Sequence, residues 1–196
     1  MTTVNELTQK YYSSIDYRNL REETKKHYQY LLCTLMDTEI DNKQIGKINY
    51  RDVSSKRAKL AYDTWCERGI SFANHVLSAS SILFNYALRM EHINLNPFTT
   101  VRRRTTERRK IVWCRGDVKK FLDAAYSDFK TRNIGLIAHM AYEWCQRLGD
   151  MRLLTWDAID FENATVFIEQ SKRKAEVHLP IEEDLLEMLK QQEQDF

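Results

Sequence analysis

Apolar side chains recur every three or four positions along most of the chain, and the period shortens to two near its end. Tyr28, Leu31, Leu32 and Leu35 share one helical face, and Val53, Ala61 and Trp65 mark a second helix. The third pattern is the longest. Phe72, Val76, Leu77, Leu83, Phe84, Ala87 and Leu88 line one face, Ser71 stands where a cap belongs, and Asn94-Leu95-Asn96-Pro97 stops the helix. These segments predict a compact helical bundle over residues 1–100.

Beyond Trp113 a helix with Asp117 as its cap buries Val118, Phe121, Leu122 and Ala125. Ile134, Ile137, Ala141, Trp144, Leu148 and Met151 then keep helical spacing, which predicts one continuous helix with Arg147 beside its apolar stripe. The period changes at Ala158-Ile159-Asp160-Phe161. With Thr165-Val166-Phe167-Ile168 and Glu176-Val177-His178-Leu179 this gives three short strands of an antiparallel sheet, closed by Pro180. Leu185, Leu186 and Leu189 mark a last amphipathic helix. The predicted fold class is mainly α with a small antiparallel β-sheet.

Composition fits that class: 43% hydrophobic and 30% charged residues, with only two prolines and five glycines in 196 residues. The length suits two small domains better than one. The N-terminus lacks a basic and apolar leader and no stretch approaches the ~20 apolar residues of a membrane span, so an intracellular, cytoplasmic protein with no membrane partner is expected. Cys33, Cys66, Cys114 and Cys145 are scattered, with no Cys-x-x-Cys pair and no clustered histidines. They are expected to be reduced, buried small hydrophobes, and neither metal nor cofactor is expected.

The net charge of +2 conceals a basic middle. Residues 101–130 carry 10 Lys+Arg against 4 Asp+Glu, whereas residues 131–196 carry 7 against 13. Arg102, Arg103, Arg104, Arg108, Arg109 and Lys110 fall within nine residues that have no apolar periodicity. A solvated tether at 101–111 is one reading. Contact with nucleic acid is favoured, because neutralising phosphates turns the mutual repulsion of these cations into binding free energy.

Two further features could bind phosphate. Arg147 and Asp150 are three residues apart, so the carboxylate can hold the guanidinium, whose planar fork suits phosphate oxygens; the same pair could equally be a surface ion pair. Lys172 lies at the tip of the predicted hairpin between Ser171 and Arg173-Lys174, where an amine could reach a phosphate or remain solvated.

The registers of these residues resemble the tyrosine recombinases, or phage-type integrases. Arg147, Asp150, Leu154, Trp156, Ile159 and Asp160 fall on that family's motif Thr-Gly-x-Arg-x-x-(Glu/Asp)-x-x-x-Leu-x-Trp-x-x-Ile-Asp. Gln170, Lys172, Val177, Leu179 and Pro180 fall on its later strand-turn-strand, and Ile48, Asp52, Val53 and the loop Ile93–Phe98 fit its core-binding domain. The resemblance implies a helical SAM-like core-binding domain over 1–100, a basic linker over 101–111 and the first part of an α+β catalytic domain over 112–196. It implies double-stranded DNA as partner, a tetramer on DNA for the full-length family, and no cofactor. Arg147 would bind the scissile phosphate, Asp150 would support it, and Lys172 would protonate the leaving 5′ oxygen. Arg102, Arg103, Arg104, Arg108, Arg109, Lys110, Arg173 and Lys174 would contact DNA.

Several residues depart from the pattern. Trp144-Cys145 replaces Thr-Gly, which suggests that helix continues where the family turns, and Arg173 replaces a common threonine. The family's His-x-x-Arg and nucleophilic tyrosine should follow Lys172, yet no histidine here has arginine three positions on and the last tyrosine is Tyr142. Tyr142 is expected to be a structural aromatic and His178 a satisfied or exposed strand residue. The sequence thus reads as the DNA-binding portion of a recombinase, truncated before its nucleophile, monomeric by itself and unable to cleave. A short natural DNA-binding regulator of recombination and a helical protein-interaction module are the alternatives.

Overall fold

In the computed structural model, which describes residues 2–107, 110–172 and 174–194, the chain divides into two compact units, Met1–Arg108 and Arg109–Phe196. The first begins with two helices outside the predicted elements, although Val4, Leu7 and Tyr11 give the first of them a buried apolar face. α1 (Val4–Tyr12) opens on a capping box in which the Glu6 N–H donates to Thr3 Oγ1 and the Thr3 N–H to Glu6 Oε2, and α2 (Ile15–Arg18) is capped by Ser14. α3 (Glu22–Asp37) follows. A two-residue hairpin then joins β1 (Glu39–Ile40) to β2 (Lys43–Gln44) through Asp41 and Asn42, both at positive φ.

α4 (Ser55–Cys66) is capped by Ser54, so Val53 lies ahead of the helix rather than in it. α5 (Ile70–Arg89) is capped by Gly69, at φ 124, and Ser71 already lies inside the first turn. The predicted cap is two residues late because a glycine there leaves no side-chain signal. Leu88, placed on the buried face by spacing, is 38% exposed.

The end of α5 is organised by one buried amide. Asn96 Nδ2 donates to the Ser81 carbonyl at 2.9 Å and to Asn85 Oδ1 at 2.8 Å, while its Oδ1 accepts from the Phe98 N–H at 2.9 Å. This bend drives Phe98 into the core between Trp65, 6.4 Å away and nearly parallel, and Phe84, 5.0 Å away and edge-on. The indole N–H of Trp65 donates to Thr38 Oγ1 at 2.7 Å, so the largest core residue leaves no unsatisfied donor.

The second unit opens with α6 (Arg115–Tyr126). Its N-cap is Cys114, and Asp117 serves three residues inside, accepting the Cys114 N–H at 2.9 Å. α7 (Phe129–Trp144) is capped by Asp128 and α8 (Leu148–Met151) is one turn long. β3 (Ile159–Asp160), β4 (Thr165–Glu169) and β5 (Glu176–Pro180) form an antiparallel sheet in that order, as the spacing predicts, and α9 (Glu183–Gln194) completes the unit. The ladder pairs Val166 with Leu179 and Ile168 with Val177, which buries Val166 and Ile168 against Leu136, Met140, Trp144, Leu185 and Leu189. Phe167 and His178 pair on the opposite, exposed face.

Mainly helical units with small antiparallel sheets agree with the predicted fold class. The cysteines do not agree with theirs: Cys33, Cys114 and Cys145 are exposed, and Cys66 is only half-buried at the edge of the first unit's core. Among the described residues no helix is long and apolar enough to cross a membrane. Phe98 is the sharpest test of the first unit's packing: Phe98→Ala should cost about 3–5 kcal/mol, read as a lowered urea midpoint.

Candidate functional site

α7 does not run on to Met151. Cys145 adopts a left-handed conformation at φ 51, the chain leaves the helix at Gln146, and Arg147 is extended at φ −69, ψ 138 as the N-cap of α8. The expectation of a continuous helix is therefore overturned: the apolar period persists because Trp144 and Met151 both reach the same core, not because helix joins them. Ile134 and Leu148, assigned to that buried stripe, are 59% and 58% exposed. The side chain at Cys145 is strained, since a left-handed residue other than glycine costs about 1–2 kcal/mol.

Asp150 is buried at 6% exposure. Its Oδ1 accepts the backbone N–H of Ser171 at 3.1 Å, and its Oδ2 lies 3.7 Å from Arg147 Nη1 with no hydrogen-bond partner among the described residues. Hydrogen bonding from Ser171, with a smaller contribution from the Arg147 charge, holds this carboxyl below its ordinary range. Asp150 thus does more than steady Arg147. It ties the Arg147 elbow to the turn between β4 and β5.

That turn is closed by the Gln170 N–H donating to the Ala175 carbonyl and the Lys174 N–H donating to the Gln170 carbonyl, both at 2.8 Å, with Lys174 at φ 56. Lys172 sits exposed in it. Gln170 Nε2 donates to Gln146 Oε1 at 2.7 Å, a second link between turn and elbow. Lys174 pairs with Glu169 at 2.7 Å and so is neutralised locally. Arg173 lies outside the described residues.

The basic stretch is not a free tether over its first residues. Val101 is buried, the Arg104 N–H donates to Tyr62 Oη at 2.7 Å, Asn74 Nδ2 donates to the Arg104 carbonyl at 2.9 Å, and Arg103 Nη2 donates to Ser78 Oγ at 2.8 Å. Arg104 also pairs with Asp63 at 3.0 Å. Polar groups of α4 and α5 hold the strap where apolar periodicity could not. Arg102 is exposed with no partner among the described residues, Lys110 is exposed, and Arg108 and Arg109 lie outside the described residues.

A separate polar cluster occupies α6 and α7, where Tyr126 Oη meets His139 Nδ1 at 3.0 Å and His139 Nε2 lies 3.8 Å from Glu143. Burial lowers the His139 pKa and raises those of Tyr126 and Glu143. Glu143 Oε1 accepts the Glu182 N–H at 2.7 Å ahead of α9, so the cluster fastens α9 to α7. Tyr142 is 51% exposed rather than a packed structural aromatic. Among the described residues no group of three or more His, Cys, Asp or Glu could hold a metal.

Residues 115–196 match the phage integrase family. That match spans most of the second unit, and the chain as a whole has the tyrosine-recombinase fold. A lambda integrase dimer bound to a COC' core site superposes with a TM-score of 0.78 at 20% identity, over 96% of this chain and 53% of that one. A lambda integrase tetramer bound to a Holliday junction gives 0.80 at 20%, over 97% and 56%. The Tn1549 transposon integrase with a circular intermediate DNA gives 0.80 at 18%, over 100% and 66%. This chain therefore spans between about half and two thirds of the length of these structures. No curated protein sequence matches it.

Two outcomes follow from the elbow. Cys145→Gly, which relieves the left-handed strain at the position where the family carries glycine, should raise stability by about 1 kcal/mol in urea unfolding. Asp150→Asn should lower it by about 1–3 kcal/mol at neutral pH. A carboxyl held below its unfolded pKa contributes stability above that value and loses it as pH falls through the folded one. The gap between wild type and Asp150→Asn should accordingly close below about pH 4, as followed by thermal melts across pH.

Proposed function

We propose that this chain is a DNA-binding portion of a phage-type tyrosine recombinase, in which Arg147 and Lys172 engage one phosphodiester of duplex DNA. The observation that carries this reading is the Asp150 carboxylate, which joins the arginine elbow to the lysine turn although 24 residues separate Arg147 from Ser171. An exposed, permanently charged guanidinium and a mobile amine on one surface are what a phosphate with two non-bridging oxygens and a leaving oxygen requires.

Affinity in this reading comes chiefly from the strap. Arg102 is free to meet phosphate, and the strap's backbone is already ordered, so binding forfeits less conformational entropy than ordering a loose tether would. Lys110 and the cations at 108 and 109 extend the same basic run. Strand cleavage is not proposed for residues 1–196, because no tyrosine follows Lys172 and no His-x-x-Arg is present. The DNA-bound dimer and tetramer belong to lambda integrase; this chain alone is proposed to be monomeric and to act in the cytoplasm of a bacterial host.

Fluorescence titration of a labelled duplex at several salt concentrations tests the reading. Binding should weaken steeply with salt, and Arg102→Ala should reduce the log–log slope by about 1, without the loss of folding contacts that changes at Arg103 or Arg104 bring. Salt-independent binding, an unchanged slope, or a covalent DNA adduct formed by residues 1–196 contradicts the proposal.

A further inference from the structure

We infer that Gln146 and Gln170 are positioning residues whose side-chain amide bridge sets the Lys172 turn against the Arg147 elbow, so that the two cations meet a phosphate as a preformed pair. This rests on the reading of Arg147 and Lys172 given above. The bridge is short, at 2.7 Å, and partly buried. The direction of the Gln146 amide is determined: Nε2 donates to the Trp144 carbonyl at 3.0 Å, left without its intrahelical partner where α7 breaks off, and Oε1 is thereby turned toward Gln170.

Gln170 is also the residue whose own N–H and carbonyl close the turn carrying Lys172, two positions on. Ser171, the next residue, is held by Asp150. A single tether would leave the turn free to pivot about one point, whereas tethers on two adjacent residues set both its place and its rotation. Hairpin stability does not call for the bridge, because the β4–β5 ladder is already paired from Thr165 with Pro180 to Glu169 with Glu176. What the bridge adds is the direction in which the turn points.

The test titrates inorganic phosphate into the protein and follows side-chain resonances of Arg147 and Lys172. In wild type both should shift with one shared dissociation constant. Q170M and Q146M keep side-chain volume but remove the bridge, and each should weaken phosphate about fivefold, the equivalent of one neutral hydrogen bond. Because both changes remove the same contact, Q146M/Q170M should bind no more weakly than either alone. N163A supplies the control: it unties Asn163 Nδ2 from Asp160 Oδ2 at the far turn, lowering stability without touching the bridge, and should leave phosphate affinity unchanged. Undiminished affinity in both Q170M and Q146M, an additive double variant, or an equal loss in N163A overturns the inference while the site reading stands. If phosphate moves neither Arg147 nor Lys172 in wild type, the site reading itself falls and the inference falls with it.

Discussion

A carboxylate taken out of water must be compensated by charge or hydrogen bonds, and Asp150 meets that requirement with groups from two distant parts of the chain. One oxygen accepts the Ser171 N–H and the other faces Arg147. The arginine elbow can therefore take only arrangements that leave the β4–β5 turn within reach, and the turn can point only where Asp150 holds it. The break after α7 becomes necessary for the same reason. Had the helix continued, Arg147 and Asp150 would have remained on a helical surface; the left-handed Cys145 turns the chain so that Asp150 faces inward while Arg147 stays at 42% side-chain exposure.

The first unit solves a comparable problem with neutral groups. Asn96, at 2% exposure, ties the loop after α5 back to Ser81 and Asn85 of that helix and delivers Phe98 to the core. Immediately afterwards Tyr62 and Asn74 fasten the strap, Tyr62 Oη donating to Asn74 Oδ1 at 2.8 Å while it accepts the Arg104 N–H. Asp63 supplies the negative charge that lets Arg104 lie there. A run of arginines that repel one another is in this way partly ordered by polar contacts alone.

What could be read from sequence follows the physics of each element. The long helices and the three strands of the second unit are legible because one face of each is buried, and periodicity reports burial. The motif registers singled out Arg147, Asp150 and Lys172, and the structure joins the first two to the turn that carries the third. Periodicity gave the wrong answer at Cys145, since two elements packing on one core mimic a single helix. α1 was readable but passed over, since Thr3 caps it and Val4, Leu7 and Tyr11 line its buried face; periodicity was silent on the single turn of α2 and on the strap, whose anchors Tyr62, Asn74 and Ser78 lie some 25 to 42 residues away. Gln170 was visible as a motif residue, but its partner Gln146 was not, because an amide pair across 24 residues has no local signature.

Charge and geometry are assigned to different stretches of this chain. Residues 131–196 are acidic overall, 13 against 7, and Lys174 is already paired with Glu169, so few cations there are available to a polyanion. Residues 101–130 carry the opposite excess, 10 against 4. Long-range attraction to phosphate scales with local net charge, whereas placing a phosphate between an arginine and a lysine depends on a few fixed contacts. In the proposed reading the strap therefore governs how tightly and how salt-dependently DNA is held. The Asp150 clasp and the glutamine bridge govern which phosphate sits at Arg147, and the acidic excess of residues 131–196 favours that division, because it discourages phosphate along that stretch except where cations are held ready.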